Sequence, residues 1–299
     1  MTGTLDRRGV LLLGAAAVLS GCTERAARRT SAVPATPRTP VSSAAPSSPS
    51  PAASPAGVPA LPVRTRWHPD PADLDPRAKL AAVRAVERRG NGPRSVLQVL
   101  DAQYGGLLAA SASVLVVCRW WHRRGRTVTP GGATYDVRLR RGLGGWRVTA
   151  VHPSRPGPAH RPLSGEERAV LRSSRIELPP AARADVLSGQ VHASVLAAML
   201  RLSERYRVGV SVVRSGHPLH VFGTDRLSDH PRGRAFDTFR IDGALVVART
   251  TPRRLVTGYM EAAAAAGAYN VGGPYLLGAA PQFFSDGTHH DHVHAGFAS

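Results

Sequence analysis

The sequence contains almost no lysine and few aromatic residues. Lys79 is the single lysine among 39 basic residues, and Phe, Trp and Tyr together make up 5% of the 299 residues. Modules that bind nucleic acid by stacking need basic residues interleaved with aromatic ones. We therefore expect no nucleic-acid partner, although the formal net charge of +19 predicts attraction to other anionic polymers.

Long apolar runs are absent as well. The apolar run at residues 10–19 follows Arg7 and Arg8 and is shorter than the roughly 20 residues that a membrane-spanning helix needs. No later stretch of the sequence reaches that length. A basic start followed by a short apolar run is typical of a signal peptide. The paired arginines favour the twin-arginine export route, with ordinary Sec export as the alternative.

Cysteine is also scarce, and the two cysteines differ in context. Cys22 ends a Leu-Ser-Gly-Cys stretch, which resembles the bacterial lipobox, where the chain is cut before a cysteine that becomes lipidated. We predict a lipoprotein signal peptide over residues 1–22 and an extracytoplasmic protein anchored to the cell membrane through lipidated Cys22. Cys118 then has no disulfide partner, and its apolar neighbours predict a buried, inert thiol.

Shifts in composition divide the rest of the chain. Residues 23–62 are mostly Ser, Pro, Ala and Thr, and such a segment cannot bury enough apolar surface to offset the entropy of ordering it. It predicts a disordered tether that holds the rest of the protein away from the membrane. A proline-rich stretch at 153–162 predicts a linker. We therefore predict the α+β class, with one domain at 63–155 and another at 164–299.

The first predicted domain starts with helical spacing and continues with strands. Apolar spacing indicates a helix over 76–89 and a further helical stretch over 95–110. Alternation then indicates three strands, at 113–121, 133–140 and 145–152. This order predicts a small helix-plus-antiparallel-sheet module of the open curved-sheet type found in nuclear-transport-factor-like domains. No catalytic group of residues is recognisable in it.

The second predicted domain packs helices on a small, mainly antiparallel sheet. Periodicity and end signals indicate three helices: one that starts at Ser164, one over 191–206 and one over 252–266. Strands are expected at 208–214, 234–239, 244–248 and 291–297.

Two histidine-containing segments of this domain contain most of the candidate metal-binding and catalytic residues. Residues 228–237 read Ser-Asp-His-Pro-Arg-Gly-Arg-Ala-Phe-Asp, and residues 289–294 read His-His-Asp-His-Val-His. Imidazole nitrogens and carboxylate oxygens are ligands that catalytic zinc accepts, with a fourth position left to water. Because side chains alternate along a strand, His292 and His294 are expected to share one face and to look into one site.

This pattern resembles a known family of enzymes. The order S-x-H-x-x-G-x-A-x-D, followed by Asp291 to His294, is similar to the zinc peptidases of the lysostaphin, D-Ala-D-Ala metallopeptidase and hedgehog group, which cleave cell-wall peptides. The resemblance covers roughly the last third of the chain. It implies that His230, Asp237 and His294 hold Zn²⁺ and that a carboxylate or histidine just before His294 acts on the attacking water.

The catalytic base and the substrate-binding residues stay open at this stage. Either Asp291 or His292 is the base: a regular strand puts His292 beside His294, whereas a bend before His292 brings Asp291 inward. The D-Ala-D-Ala members usually carry Glu where this chain has Asp291. They also commonly use an arginine upstream of the first ligand, so Arg214 and Arg234 are the candidates for binding a substrate carboxylate.

The sequence thus predicts an exported zinc metallopeptidase that hydrolyses amide bonds of cell-wall peptides, as a D-Ala-D-Ala carboxypeptidase or a peptidoglycan endopeptidase. The expected partners are peptidoglycan peptides or other anionic wall polymers, and the membrane through Cys22. One alternative is a non-catalytic, wall-associated binding lipoprotein that keeps the peptidase-like fold. Another is a regulatory lipoprotein that binds a partner through the first domain.

Overall fold

The computed structural model describes residues 59–298. The predicted signal peptide with Cys22, and the predicted tether up to residue 58, lie outside the described residues. Residues 59–62, the end of that tether, contain no helix or strand. Among the described helices, none has the length and apolarity needed to cross a membrane.

The first layer of the fold is a helix packed on a four-stranded antiparallel meander. Helix α1 (Pro76–Gly90) starts at Asp75, whose side chain accepts a hydrogen bond from the Ala78 amide, with proline in the first turn. The strands follow in chain order and pair in the order β1-β2-β3-β4. Their bounds are Ser95–Leu107 for β1, Ser111–Arg124 for β2, Thr127–Gly142 for β3 and Gly145–Pro153 for β4.

The predicted helical stretch over 95–110 is wrong, because this segment forms strand β1. It pairs with β2 from Ser95 to Leu107, so the ladder to the next strand of the chain outweighs local helix propensity. The strand also has two irregularities, between Val99 and Asp101 and between Tyr104 and Gly106. Such bulges bend a strand and redirect its side chains, often next to functional sites.

The second layer is a seven-stranded sheet with helices on it. Its strands pair in the order β10-β9-β11-β7-β6-β5, with β8 on β7, and only the β5–β6 and β9–β10 pairs are parallel. The strands are β5 (Ile176–Glu177), β6 (Val208–Val210), β7 (Ala235–Ile241), β8 (Ala244–Leu245), β9 (Asn270–Gly272), β10 (Phe283–Phe284) and β11 (Val293–Gly296). The helices are α2 (Gly165–Arg172), α3 (Pro180–Leu187), α4 (Ala193–Arg205) and α5 (Arg253–Ala265). The α+β class predicted from the sequence is confirmed.

Several of the predicted strands are shorter than expected. The stretch 208–214 is a strand only over Val208–Val210, and the last strand begins at Val293, after a one-turn 3-10 helix at Thr288–His290. Helix α3 was not predicted. Its signal is Pro180, which occupies the first helical turn.

The core of the second layer lies between its sheet and helices α4 and α5. Apolar side chains from the helices, such as Met199 and Tyr259, pack against Phe236 of β7 and Phe297 after β11. Strand β7 is buried on both faces over residues 235–239, which is typical of a central strand. Its polar residue Asp237 is therefore buried, with an exposed fraction of 1%.

The two layers contact each other directly. Val212 of the second layer shares a small apolar cluster with Leu115 and Val117 of β2. The Leu107 amide of β1 donates a hydrogen bond to Thr288 Oγ1 at 3.1 Å. Residues 154–163 between the layers contain no helix or strand, and both layers belong to one compact unit, Pro55–Ser299.

Candidate metal centre

Three buried side chains bring their ligand atoms together at one point. His230 Nε2 lies 3.1 Å from Asp237 Oδ1 and 3.1 Å from His294 Nδ1, and His294 Nδ1 lies 3.0 Å from Asp237 Oδ1. Ligands bound at about 2.0–2.1 Å in a tetrahedral zinc site stand roughly 3.3 Å from one another. The spacing of the three atoms therefore suits a metal ion of that size.

The sheet sets the positions of two of these side chains. His294 of β11 is the direct antiparallel partner of Asp237 of β7, and such partners project from the same face of a sheet. The two ligand atoms thus meet through strand register, although 57 positions separate the residues in sequence.

His230 reaches the same point from a tight loop. Its carbonyl accepts a hydrogen bond from the Gly233 amide at 2.8 Å, and Gly233 has a φ of 71°. A Cβ there would lie 2.0 Å from the Gln190 carbonyl oxygen, so the loop needs glycine. His230 Nδ1 donates to the Val213 carbonyl at 2.7 Å, which leaves the Nε2 lone pair free to bind a metal.

His217 is a further candidate ligand that the sequence analysis did not assign. His217, His230 and Asp237 offer ligand atoms that all lie within 4.8 Å of one another, which makes them a candidate metal-binding triad. The His217 ring stacks on that of His230, with the centroids 4.1 Å apart. Its Nδ1 is 3.0 Å from the Pro218 carbonyl oxygen, so Nε2 is the nitrogen left for the site.

The electrostatics of the site favour metal-binding protonation states. Burial, and the nearby His230 and His289, lower the pKa of His294 to about 4. Burial alone would raise the pKa of Asp237, but the charges of His230 and His292 outweigh it and hold that pKa well below its usual range. At neutral pH the site thus contains a neutral imidazole and a carboxylate, the forms that bind metal.

His292 and Asp291 form a pair beside this centre. His292 Nδ1 donates to Asp291 Oδ1 at 2.7 Å, and His292 Nε2 lies 3.8 Å from Asp237 Oδ2. Burial alone would lower the pKa of His292. The charge of Asp237 and the hydrogen bond to Asp291 outweigh burial, so the pKa of His292 is raised. His292 therefore presents Nε2 toward Asp237, and Asp291 contacts the opposite nitrogen, Nδ1.

The chain does bend before His292, yet the bend leaves Asp291 no free oxygen. Asp291 has a φ of −109° and a ψ of 1° at the end of the 3-10 helix. Its Oδ1 is occupied by His292, and its Oδ2 accepts the Tyr104 amide at 3.0 Å and contacts Lys79 Nζ at 2.7 Å. Asp291 is thus placed to orient His292 rather than to reach the ligand atoms.

An open cleft of about 590 Å³ leads to the ligands. His217, His230, His292 and His294 line it, and β1 with its following turn provides Tyr104, Leu107 and Leu108 on its wall. Further aromatic and polar residues that line the cleft include Phe222, Arg226, Asp229, Tyr269, Phe284 and His289. The candidate metal centre is therefore accessible to a ligand of several heavy atoms.

The two arginines predicted to bind substrate do not line this cleft. Arg214 donates from Nη2 to the Pro156 carbonyl at 2.7 Å and lines a neighbouring cavity. Arg234 precedes β7, and its carbonyl accepts a hydrogen bond from the Phe297 amide. The arginine that lines the cleft is Arg226, which carried no sequence signal in so arginine-rich a chain.

Two residues of the first layer also reach the site and were missed. Gln103 of β1 contacts Asp237, and Lys79 of α1 contacts Asp291. Lys79 carried a signal: it is the single lysine of the chain, and it falls between Ala78 and Ala82 on the apolar face of α1.

Comparisons with models of known protein families, with curated proteins and with solved structures find no match for this chain. The resemblance to the zinc peptidases therefore rests on the sequence motif alone.

Proposed function

We propose that this protein is a zinc hydrolase that cleaves amide bonds of cell-wall peptides. The observation that carries the proposal is the meeting of His230, Asp237 and His294 within 3.1 Å at the wall of an open cleft. Three nitrogen and oxygen ligands with one open position are typical of catalytic zinc, whereas structural zinc sites are closed by four protein ligands.

The metal would supply a water of lowered pKa, near ~7, and would polarise the scissile carbonyl. His230 Nε2, Asp237 Oδ1 and His294 Nδ1 are the atoms that would hold it. Between the two candidates for the base, the geometry favours His292. Its Nε2 faces the ligands while its Nδ1 proton is held by Asp291, the arrangement that orients a general base in catalytic triads.

In this proposal His292 Nε2 takes a proton from the attacking water and later gives it to the leaving amine. Asp291 stabilises the imidazolium that forms in between. His217 stacks on His230 and also lines the cleft, where it is available as a hydrogen-bond donor to the substrate.

Arg226 is the group we propose for binding a substrate carboxylate, in place of Arg214 and Arg234. It lines the cleft together with the metal ligands, and a guanidinium binds carboxylate with two hydrogen bonds. Peptide stems of peptidoglycan end in such a carboxylate. The N-terminal signal, the lipidation of Cys22 and the charge of +19 would place the enzyme at the membrane, facing anionic wall polymers.

The test is a joint measurement of zinc content and muropeptide cleavage on one preparation of the chain. We expect about one zinc per chain after reconstitution, as one set of ligands implies, and hydrolysis that disappears in His230→Ala. His122→Ala, which removes an exposed histidine of β2, is the matched control. It should leave the zinc content and the hydrolysis unchanged.

A preparation that binds no zinc after reconstitution would end the enzyme proposal. Zinc binding and wall binding without any hydrolysis would instead favour the non-catalytic wall-binding lipoprotein.

A further inference from the structure

The first layer of the fold contributes a buried glutamine to the metal centre. Gln103 lies on β1 between the two irregularities of that strand, and its exposed fraction is 1%. Its Nε2 donates to Asp237 Oδ2 at 2.6 Å. The contact joins residues 134 positions apart, one in each layer.

A third residue joins this hydrogen bond. The Asp237 carboxylate only accepts hydrogen bonds, so Gln103 must present Nε2 to it, and the Ser211 hydroxyl contacts the other end of the amide, Oε1. The Ser211 amide also donates to the Asp237 carbonyl at 3.0 Å. Gln103, Ser211 and Asp237 thus form a closed, buried network in which each partner restrains the others.

The two carboxylate oxygens of Asp237 have different contacts in this network. Oδ2 accepts the Gln103 amide, while Oδ1 lies 3.1 Å from His230 Nε2 and 3.0 Å from His294 Nδ1. A carboxylate held in this way offers one oxygen to a metal. Two imidazoles and one carboxylate oxygen then leave a fourth tetrahedral position.

We infer that Gln103 is a positioning residue of the metal centre, and that the helix-and-meander layer is part of the site rather than a separate binding module. Gln103 keeps Asp237 as a ligand through Oδ1 alone. The inference deepens the proposed zinc function and rests on it.

A second contact between the layers points the same way. Lys79 Nζ of α1 lies 2.7 Å from Asp291 Oδ2, and the Tyr104 amide of β1 donates to the same oxygen at 3.0 Å. The residue next to Gln103 thus restrains the carboxylate that orients His292. One short piece of β1 fixes both a metal ligand and the partner of the proposed base.

The experiment compares the unaltered chain with Gln103→Leu, which keeps a similar volume and removes the amide. We expect zinc affinity, measured by competition with a chelator, or kcat for muropeptide hydrolysis to fall by about 10–100-fold, as for other outer-shell partners of metal ligands. The visible absorption spectrum of the Co²⁺-substituted protein should also change, because Asp237 is free to bind through both oxygens. If Gln103 only stabilised the fold, the Co²⁺ spectrum of the folded protein would not change.

The matched control is Gln98→Leu on the same strand. Gln98 donates to Thr65 Oγ1 in an exposed hydrogen bond, so this variant should keep the affinity, the kcat and the Co²⁺ spectrum of the unaltered chain.

If Gln103→Leu does not fold, Ser211→Ala is the variant that tests the inference, because it removes the hydroxyl that contacts Gln103 Oε1. We expect a smaller loss of affinity and a change in the Co²⁺ spectrum. Native affinity and an unchanged spectrum in a folded Gln103→Leu, or in Ser211→Ala where the first variant fails, would overturn the inference. If the unaltered chain itself binds no zinc, it is the proposed function that fails, so the two failures are distinguishable.

Discussion

At the scale of single residues, the proposed function gives metal binding and proton transfer to different histidines. His294 presents Nδ1 to Asp237 and His230, whereas His292, two positions earlier, presents Nε2 from the end of a bend. Both rings are buried, but only His292 has a carboxylate partner of its own, Asp291. We therefore propose different roles for these two neighbouring histidines, because their hydrogen-bond partners differ.

This separation predicts different losses for the two histidines. His292→Ala should keep about one zinc per chain and lower kcat for muropeptide hydrolysis by about 10²–10⁴-fold, the usual contribution of a general base. His294→Ala should lose zinc itself, because a ligand is removed. Metal analysis and kinetics on the same samples separate the two, and full activity in His292→Ala would return the role of base to Asp291.

At the scale of elements, the loop from His230 to Gly233 determines where the first ligand lies. Its turn closes with the Gly233 amide on the His230 carbonyl, and it packs against the Gln190 backbone. The loop then leads directly into β7, which carries Asp237. The ligand spacing seen in the sequence is thus the spacing of one turn and the start of one strand.

The loop predicts a strong effect of Gly233→Ala. The substitution adds a Cβ at 2.0 Å from the Gln190 carbonyl oxygen in a residue with positive φ. We expect a loss of roughly 1–3 kcal/mol in the free energy of unfolding, measured by urea titration, together with weaker zinc binding as the His230 loop shifts.

Gly243→Ala is the control for this prediction. Gly243 also has a positive φ, of 86°, but nothing lies within 4 Å of its added Cβ. It should show only the cost of the backbone conformation, about 1–2 kcal/mol, and should bind zinc normally. Equal zinc affinity in both variants would contradict the role given to the loop.

At the scale of the whole molecule, a charged contact joins the two layers. Lys79 lies between Asp73 of the first layer and Asp291 of the second, and its side chain is 3% exposed. Burial alone would lower the pKa of Lys79, but Asp291 and Asp73 raise it above its usual range. The ammonium therefore stays charged, and it balances two buried carboxylates.

We accordingly expect Lys79→Met to destabilise the fold by about 3–5 kcal/mol, since the change leaves buried carboxylates without their cation. Thermal or urea unfolding measures the loss. Arg84→Met, at an exposed position of the same helix, should change stability by less than about 0.5 kcal/mol. A stable Lys79→Met would show that the contact between the layers contributes little.

The sequence by itself determined what depends on neighbours along the chain: helix α1, most of the strands, and the spacing of the candidate ligands His230 and Asp237. Only the tertiary structure decided that 95–107 is a strand, that Gln103 meets Asp237, and that Arg226 rather than Arg214 lines the cleft. Propensity and periodicity act over a few residues. The strand at 95–107 depends instead on its pairing with β2, the contact of Gln103 with Asp237 joins residues 134 positions apart, and the arginine that lines the cleft depends on how a loop folds. Such contacts are set by the packing of the two layers, which no local pattern specifies.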